Sequence, residues 1–191
     1  MKVTKEQVQA NRAHIVETAS ALFRERGYDG VGVAELMAAA GFTHGGFYKH
    51  FGSKADLMRE AAVNGLSQSI ASNESLEINE FFKYYLSRKH RDCRSGGCTM
   101  AALSGDAARQ SEDLKAAFAT GIEDLLTALQ PESAADTDQH AARAKVLDML
   151  THAVGAIVLS RACPDDSPLA DEILQICRAQ ILESLPHKSS N

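Results

Sequence analysis

The 191-residue chain has no tryptophan, only four prolines and only four cysteines. So few prolines argue against a loop-rich or polyproline chain, and few runs of β-branched residues argue against a β-sandwich. Four widely placed cysteines do not make a disulfide framework, so Cys93, Cys98, Cys163 and Cys177 are expected as thiols. No long hydrophobic run is present: the longest apolar stretch, Ala153–Leu159, falls far short of a membrane span and is flanked by His152 and Arg161. The first residues, MKVTKEQVQA, lack an apolar leader, so a cytoplasmic protein is expected. An excess of basic charge is missing too, since the formal net charge is −5. The acidity is uneven, however. Residues 1–60 hold eight Lys/Arg against seven Asp/Glu, which leaves the acidic excess in the remainder and permits a local phosphate-binding face near the start. No P-loop, G-x-S-x-G, HExxH or dinucleotide fingerprint occurs, so no enzymatic activity and no cofactor are expected.

What is present is helix. Hydrophobic residues make up 45% of the chain, with alanine and leucine throughout. Thr4 and Gln7 read as a capping box opening a helix over 5–26, and Gly27 as its stop. A short helix over 33–40 follows, pointing Leu36, Met37 and Ala40 inward, and Gly41 breaks it. Thr43 is placed to cap a helix over 44–51 and Ser53 to cap one over 54–69. Further helices are expected over 77–87, 98–110, 112–129, 138–162 and 168–185, with a hinge at ASNESLE and an irregular charged loop at RKHRDCRSGG. Two short helices joined by a tight glycine turn behind a longer one form a helix-turn-helix arrangement, whose second member enters the DNA major groove. The expected fold is all-α: a three-helix DNA-binding head, residues 1–53, and a helical ligand-binding and dimerisation body, residues 54–191.

The stretch AGFTHGGFYKHFGSK, residues 40–54, carries the chemistry. Gly45 and Gly46 stand inside an expected helix, where each glycine costs roughly 1 kcal/mol against alanine. A helix that meets a phosphate backbone needs donors and little bulk on the approaching side. Thr43 and the free N–H groups beside it can hold a phosphate. The two glycines leave room, and Phe47 and Phe51, four apart, face the core. Tyr48, Lys49 and His50 then lie outside, and Lys54 adds a charge at the same edge.

These residues, with IVETASALFRERGYDGVGV before them and SKADLM after, resemble the DNA-binding domain of the TetR family of bacterial transcriptional regulators. The likeness runs from about Arg12 to Leu57 and includes A-x-x-L-F-x-x-x-G-Y, A-G-x-x-x-G-x-x-Y-x-x-F and S-K elements. It implies a homodimer that binds double-stranded operator DNA and is released from it by a small-molecule inducer, most often as a repressor. By position, His44, Gly45 and Lys49 match residues that approach bases. Thr43, Tyr48, His50 and Lys54 match residues that contact phosphates or brace the helix. Two positions depart from the pattern: Gly32 replaces a common threonine cap, and Met37 a commonly small residue.

In the body, residues 138–162 and 168–185 are apolar over a wide surface, which calls for burial on more than one side. Either a partner subunit or the chain's own core satisfies that requirement; the resemblance implies the former. Phe81, Tyr84, Tyr85, Met100, Leu103, Phe118, Ile122, Met149 and His152 are candidates for a ligand pocket, and core packing is their alternative role. The acidic body offers few cations beyond Arg88–Arg94, so a neutral, aromatic or electrophilic ligand is expected. His90, Cys93 and Cys98 lack an evident fourth ligand, so no metal is expected. Cys93 and Cys98 are instead redox candidates, Cys93 amid cations and Cys98 at an expected helix start. A helical protein-interaction adaptor is the reading outside this class, and it leaves Thr43–Lys54 unexplained.

Overall fold

The computed structural model describes residues 4–71, 76–130 and 136–185, with side chains in the last segment described from Gln139 onward. Among these residues all regular structure is helical: α1 (Lys5–Arg26), α2 (Val33–Ala39), a 3₁₀ segment (His44–Lys49), α3 (Lys54–Ala71), α4 (Ile78–Tyr85), α5 (Arg88–Asp92), α6 (Thr99–Ala107), α7 (Glu112–Leu129), α8 (Asp136–Ala162) and α9 (Pro168–Ser184). The expected all-α class is what the chain adopts. Residues 72–75 of the expected hinge, residues 131–135 of the loop before α8, and the tail from residue 186 lie outside the described residues.

The helix ends follow local chemistry. Thr4 accepts the Gln7 backbone N–H at 3.2 Å, but the Gln7 side chain donates forward to Asn11 rather than back to the cap, so only half of the expected capping box forms. Ser53 accepts the Asp56 N–H and Ser111 the Leu114 N–H, as expected of caps. Gly27 ends α1 with φ +76, the left-handed conformation that disfavours a side chain.

Two local expectations change. Residues 44–51 do not form an α-helix: His44–Lys49 wind as a 3₁₀ segment, held by Gly46 N–H to Thr43 carbonyl and His50 N–H to Phe47 carbonyl, both 2.9 Å. Paired glycines weaken the α-helix, and a short tight segment with i→i+3 bonds is the outcome. The charged run after residue 87 is not wholly irregular either. Ser87 accepts the His90 N–H at 3.2 Å and starts α5, a single helical turn and a little more.

The chain groups into two compact units. The first comprises Met1–Ser69 with Arg94–Ile122, the second Ile70–Cys93 with Glu123–Asn191. Packing around the head thus continues past residue 53 and includes α6 and most of α7.

The core of the first unit is continuous and apolar: Ile15, Ala19 and Phe23 of α1, Leu36 and Met37 of α2, Phe47 and Phe51, and Leu57 of α3, with Leu103 of α6 and Leu114 and Phe118 of α7. Asp106 of α6 accepts the Tyr28 N–H at 3.1 Å beside Gly27, where an added Cβ would lie 2.6 Å from its carboxylate.

In the second unit α9 packs along α8, and α4 and α5 pack on these two helices. Arg91 of α5, only 2% exposed, is the largest fully buried side chain. It donates to the Ser160 hydroxyl and carbonyl at 3.1 and 2.9 Å, to the Cys163 carbonyl at 3.2 Å, and to Asp165 at 2.7 Å. A buried guanidinium is tolerable because its donors are satisfied this way. The bonds pin α5 to the corner where α8 turns into α9. Arg161 returns the contact, donating to the carbonyls of Arg91 and His90.

Candidate nucleic-acid interface

The 3₁₀ segment has an inside and an outside. Phe47 and Phe51 are buried at 1% and 3% exposure, their ring centroids 5.5 Å apart. Their burial orients the segment, and Thr43, His44, Gly45, Tyr48 and Lys49 are exposed as a result, while Gly46 and His50 are half-buried. Tyr48 projects with 69% of its surface exposed. It packs edge-on against His44 and Phe47, with centroids 6.5 and 5.2 Å away.

The two glycines are not demanded by the chain itself. Positive φ occurs only at Gly27 and Gly41 among the described residues, so neither Gly45 nor Gly46 needs a left-handed backbone. A Cβ at Gly45 would meet nothing within 4 Å. At Gly46 it would make ordinary contacts, 3.7 Å from the Met37 methyl and 3.8 Å from the Thr43 hydroxyl. Met37, the departure from the family pattern noted above, is fully buried and fills the space beneath Gly46.

Two expectations need adjustment. Thr43 stands at the N-cap position, but its side chain makes no capping bond, since the tighter 3₁₀ turn closes on its carbonyl instead. Gly32 likewise caps α2 without a side-chain bond. Lys54 is not a free surface charge: its ammonium donates to the Tyr28 carbonyl at 2.6 Å and lies 6.0 Å from the Phe23 ring centroid. One of its three donors is thereby engaged, and the side chain is braced across the head.

Arg12 and Glu60 carried no signal that sequence reasoning used, and both stand at the end of this segment. Arg12 forms a two-pronged pair with Glu60, both contacts 2.5 Å, and its Nε donates to the His50 carbonyl at 3.3 Å. Its guanidinium lies 4.7 Å above the Phe51 ring. A periodicity argument places Arg12 on an outer face of α1 and cannot see a partner 48 residues away.

The pocket candidates divide between the units. Met100, Leu103 and Phe118 are buried and Ile122 half-buried on α6 and α7; Leu103 and Phe118 belong to the core of the first unit. In the second unit Phe81, Tyr85 and Met149 are buried, His152 is half-buried and Tyr84 is 44% exposed. Tyr85 packs against the buried His90 ring, with centroids 4.5 Å apart. Burial holds His90 below the usual imidazole pKa, and the charge of Arg161 acts in the same direction. None of the four cysteines is in a disulfide: Cys93 is exposed, and Cys98, 6% exposed, holds the N-cap position of α6. Among the described residues, no helix is long and apolar enough to cross a membrane.

A long helix, a short helix, a tight glycine turn and a second short helical segment with an exposed polar face define a helix-turn-helix head. Residues 15–61 match the family model of the bacterial regulatory proteins of the tetR family. That stretch, the helix-turn-helix head, is what the chain shares with the family. Its relatives include the HTH-type transcriptional repressor NemR of Escherichia coli K12, 30% identical over 128 residues that make up 62% of this chain and 64% of NemR. The HTH-type transcriptional regulator AcrR of Shigella flexneri is 37% identical over 79 residues, 41% of this chain and 36% of AcrR. The matched stretches therefore span less than two thirds of these relatives. Among solved structures, the reduced form of E. coli NemR superposes with a TM-score of 0.74 at 18% identity, covering 95% of this chain and all of that one. A TetR-family regulator from Cytophaga hutchinsonii gives 0.71 at 17%, covering 99% and 100%. At such identities these two establish a shared fold.

Proposed function

We propose that the protein is a DNA-binding transcriptional regulator, acting as a homodimer in the cytoplasm and releasing its operator when a small molecule binds the body. The observation that carries this reading is the 3₁₀ segment. It exposes donors on His44, Tyr48 and Lys49 around two glycines whose missing side chains nothing inside the protein requires. The room is useful to a partner that approaches the backbone closely, as a duplex does. Residues 1–53 are the proposed DNA-binding part and 54–191 the ligand-binding and dimerisation part. Thr43, His44, Gly45, Gly46, Tyr48, Lys49, His50 and Lys54 form the proposed DNA surface.

The dimer reading is supported by the second unit. Leu147, Val158 and Leu159 of α8 and Leu169 and Ile176 of α9 are 40–60% exposed although α8 and α9 pack on each other. Two such pairs would cover these residues in a four-helix seam and present two heads to a near-palindromic operator. Selection of bound sequences from a random DNA pool tests the whole reading. Enrichment of a near-palindrome bound by a dimer is expected; no enrichment would return the chain to the adaptor alternative.

A second reading keeps the scaffold and changes the signal. Cys98 holds the N-cap position of α6, and Cys93 is exposed beside Arg91 and Arg94 in sequence. Release of the selected operator by diamide, reversed by reductant and absent in Cys98→Ser, would make thiol chemistry the inducing signal. Unchanged binding in diamide leaves the non-covalent ligand, for which Phe81, Tyr84, Tyr85, Met149 and His152 of the second unit are the proposed lining.

A further inference from the structure

The segment that presents His44, Tyr48 and Lys49 is an unpromising platform. It is six residues long, 3₁₀ rather than α, and contains two adjacent glycines. Such a segment has weak internal hydrogen bonding and little preference for one conformation. Reading base edges demands that its side chains stay within a fraction of an ångström of one position. Phe47 and Phe51 seat it on the core and set which side faces out. They do not fix its far end.

That end is held by one side chain from another helix. The segment finishes at His50, whose N–H closes the last turn on Phe47 and whose carbonyl accepts from Arg12. Arg12 of α1 donates to that carbonyl, stacks over Phe51 and is itself gripped by both carboxylate oxygens of Glu60 on α3. Glu60 is only 21% exposed and Arg12 39%, so the pair is partly shielded from water and salt. The planar fork matters: two N–H groups engage Glu60 and the third, on Nε, is left aimed at the carbonyl. Lysine offers a single ammonium and cannot hold all three points of this geometry.

We infer that Arg12, oriented by Glu60, is a positioning residue for operator reading: it fixes the end of the 3₁₀ segment and thereby the base preference of the head, without touching DNA itself. The inference rests on the DNA-binding reading above. Each duplex contact made by His44 or Lys49 depends on where the segment stops, and Arg12 ties that stop to α1 and α3 together.

The test uses the full-length protein and the operator selected by the wild type, alongside a scrambled duplex of equal length. If the wild type enriches no sequence, the DNA-binding reading falls and this inference with it. If it does, Arg12→Lys and Glu60→Gln are compared with it. The first keeps the charge and the second the shape, so both are expected to fold with unchanged helical content. The operator Kd is expected to rise about tenfold, equivalent to about 1.4 kcal/mol, while the Kd for the scrambled duplex and the slope of log K against log salt stay the same. The ratio of specific to non-specific binding is the readout that a merely structural role would not move. An unchanged ratio with a lowered Tm would overturn the inference, leaving Arg12 a support of the fold. Equal losses on both duplexes with a salt slope about two units shallower, one contact per head, would also overturn it by making Arg12 a phosphate contact.

Discussion

The head and the α8–α9 pair use apolar residues in opposite ways. In the head every large aromatic of the 3₁₀ segment except Tyr48 is buried, and the exposed face is polar. In the α8–α9 pair the helices bury Met149, Ile157, Leu174 and Ile181 and still expose Leu159 at 60%, Leu169 at 52% and Ile176 at 50%. The first surface is complete in one chain and suited to a hydrated, charged partner. The second leaves large apolar side chains uncovered, the kind of face that the proposed dimer would bury. Polarity of the uncovered face, rather than helix content, separates the two, since all regular structure in both is helical.

The sharpest way to break that contrast is to put charge on the uncovered apolar face. Leu159→Asp with Ile176→Asp should leave the helical content intact, because both side chains are already exposed. In a symmetric seam each change counts twice, so four anchors are lost and dimer affinity should fall by roughly 8 kcal/mol, from about 2 per buried anchor. Sedimentation should then find monomers, and operator binding should be lost with the dimer. A dimer of undiminished affinity would mean that this face is covered otherwise.

Next in size is the inner side of the 3₁₀ segment. Phe47→Ala should cost about 3–5 kcal/mol through lost burial and the cavity left behind. Chemical denaturation measures it, and a cost under about 1 kcal/mol would show that Phe47 does not anchor the segment.

Lys54→Ala probes the edge between inside and outside. If each head contacts about four phosphates, the dimer's salt slope is roughly −7, and the variant should flatten it by about two units. Because Lys54 also braces Tyr28, a modest loss of stability should accompany the change. An unchanged slope would leave it the bracing role alone.

Gly45→Ala sharpens the comparison by separating folding from binding. An alanine there fits without strain and should stabilise the free protein slightly, by about 0.4–1 kcal/mol. Operator affinity should move the other way, several-fold weaker. Stability and affinity falling together would place the need for glycine inside the protein.

The smallest effect is expected from acid on the second unit. His90 is 4% exposed and has a folded pKa below its unfolded value of 6.5. A basic group with a lowered folded pKa takes up protons more readily when unfolded, so stability is present above the unfolded pKa and declines as pH falls below about 6.5. His90→Gln should flatten that decline in denaturation curves recorded between about pH 7 and 5. An identical decline in the variant would assign it to other groups.

Much of this was readable in advance. Helix positions followed from apolar spacing and from caps such as Thr4, Gly27 and Ser53, because capping involves residues only three or four apart. The inward side of Phe47 and Phe51 was legible for the same reason. The 3₁₀ winding of His44–Lys49 was not, since glycine weakens the α-helix without saying what replaces it. The single turn at Arg88–Asp92 was missed because its stability depends on burying Arg91 against Ser160, Cys163 and Asp165, about 70 residues away.

The sequence by itself therefore determined the class, the order of helices and which faces are apolar, because these depend on residue spacing within one helix. Only the tertiary structure decided that Lys54 holds the Tyr28 carbonyl, that Leu103 and Phe118 belong to the core of the first unit, and that Arg12 joins Glu60 to the end of the 3₁₀ segment. The hydrogen bonds among them join residues 26 to 48 positions apart, and no local pattern encodes them. They are set by which surfaces meet once the apolar faces have closed, when a buried donor must find whatever acceptor the packing has brought to it.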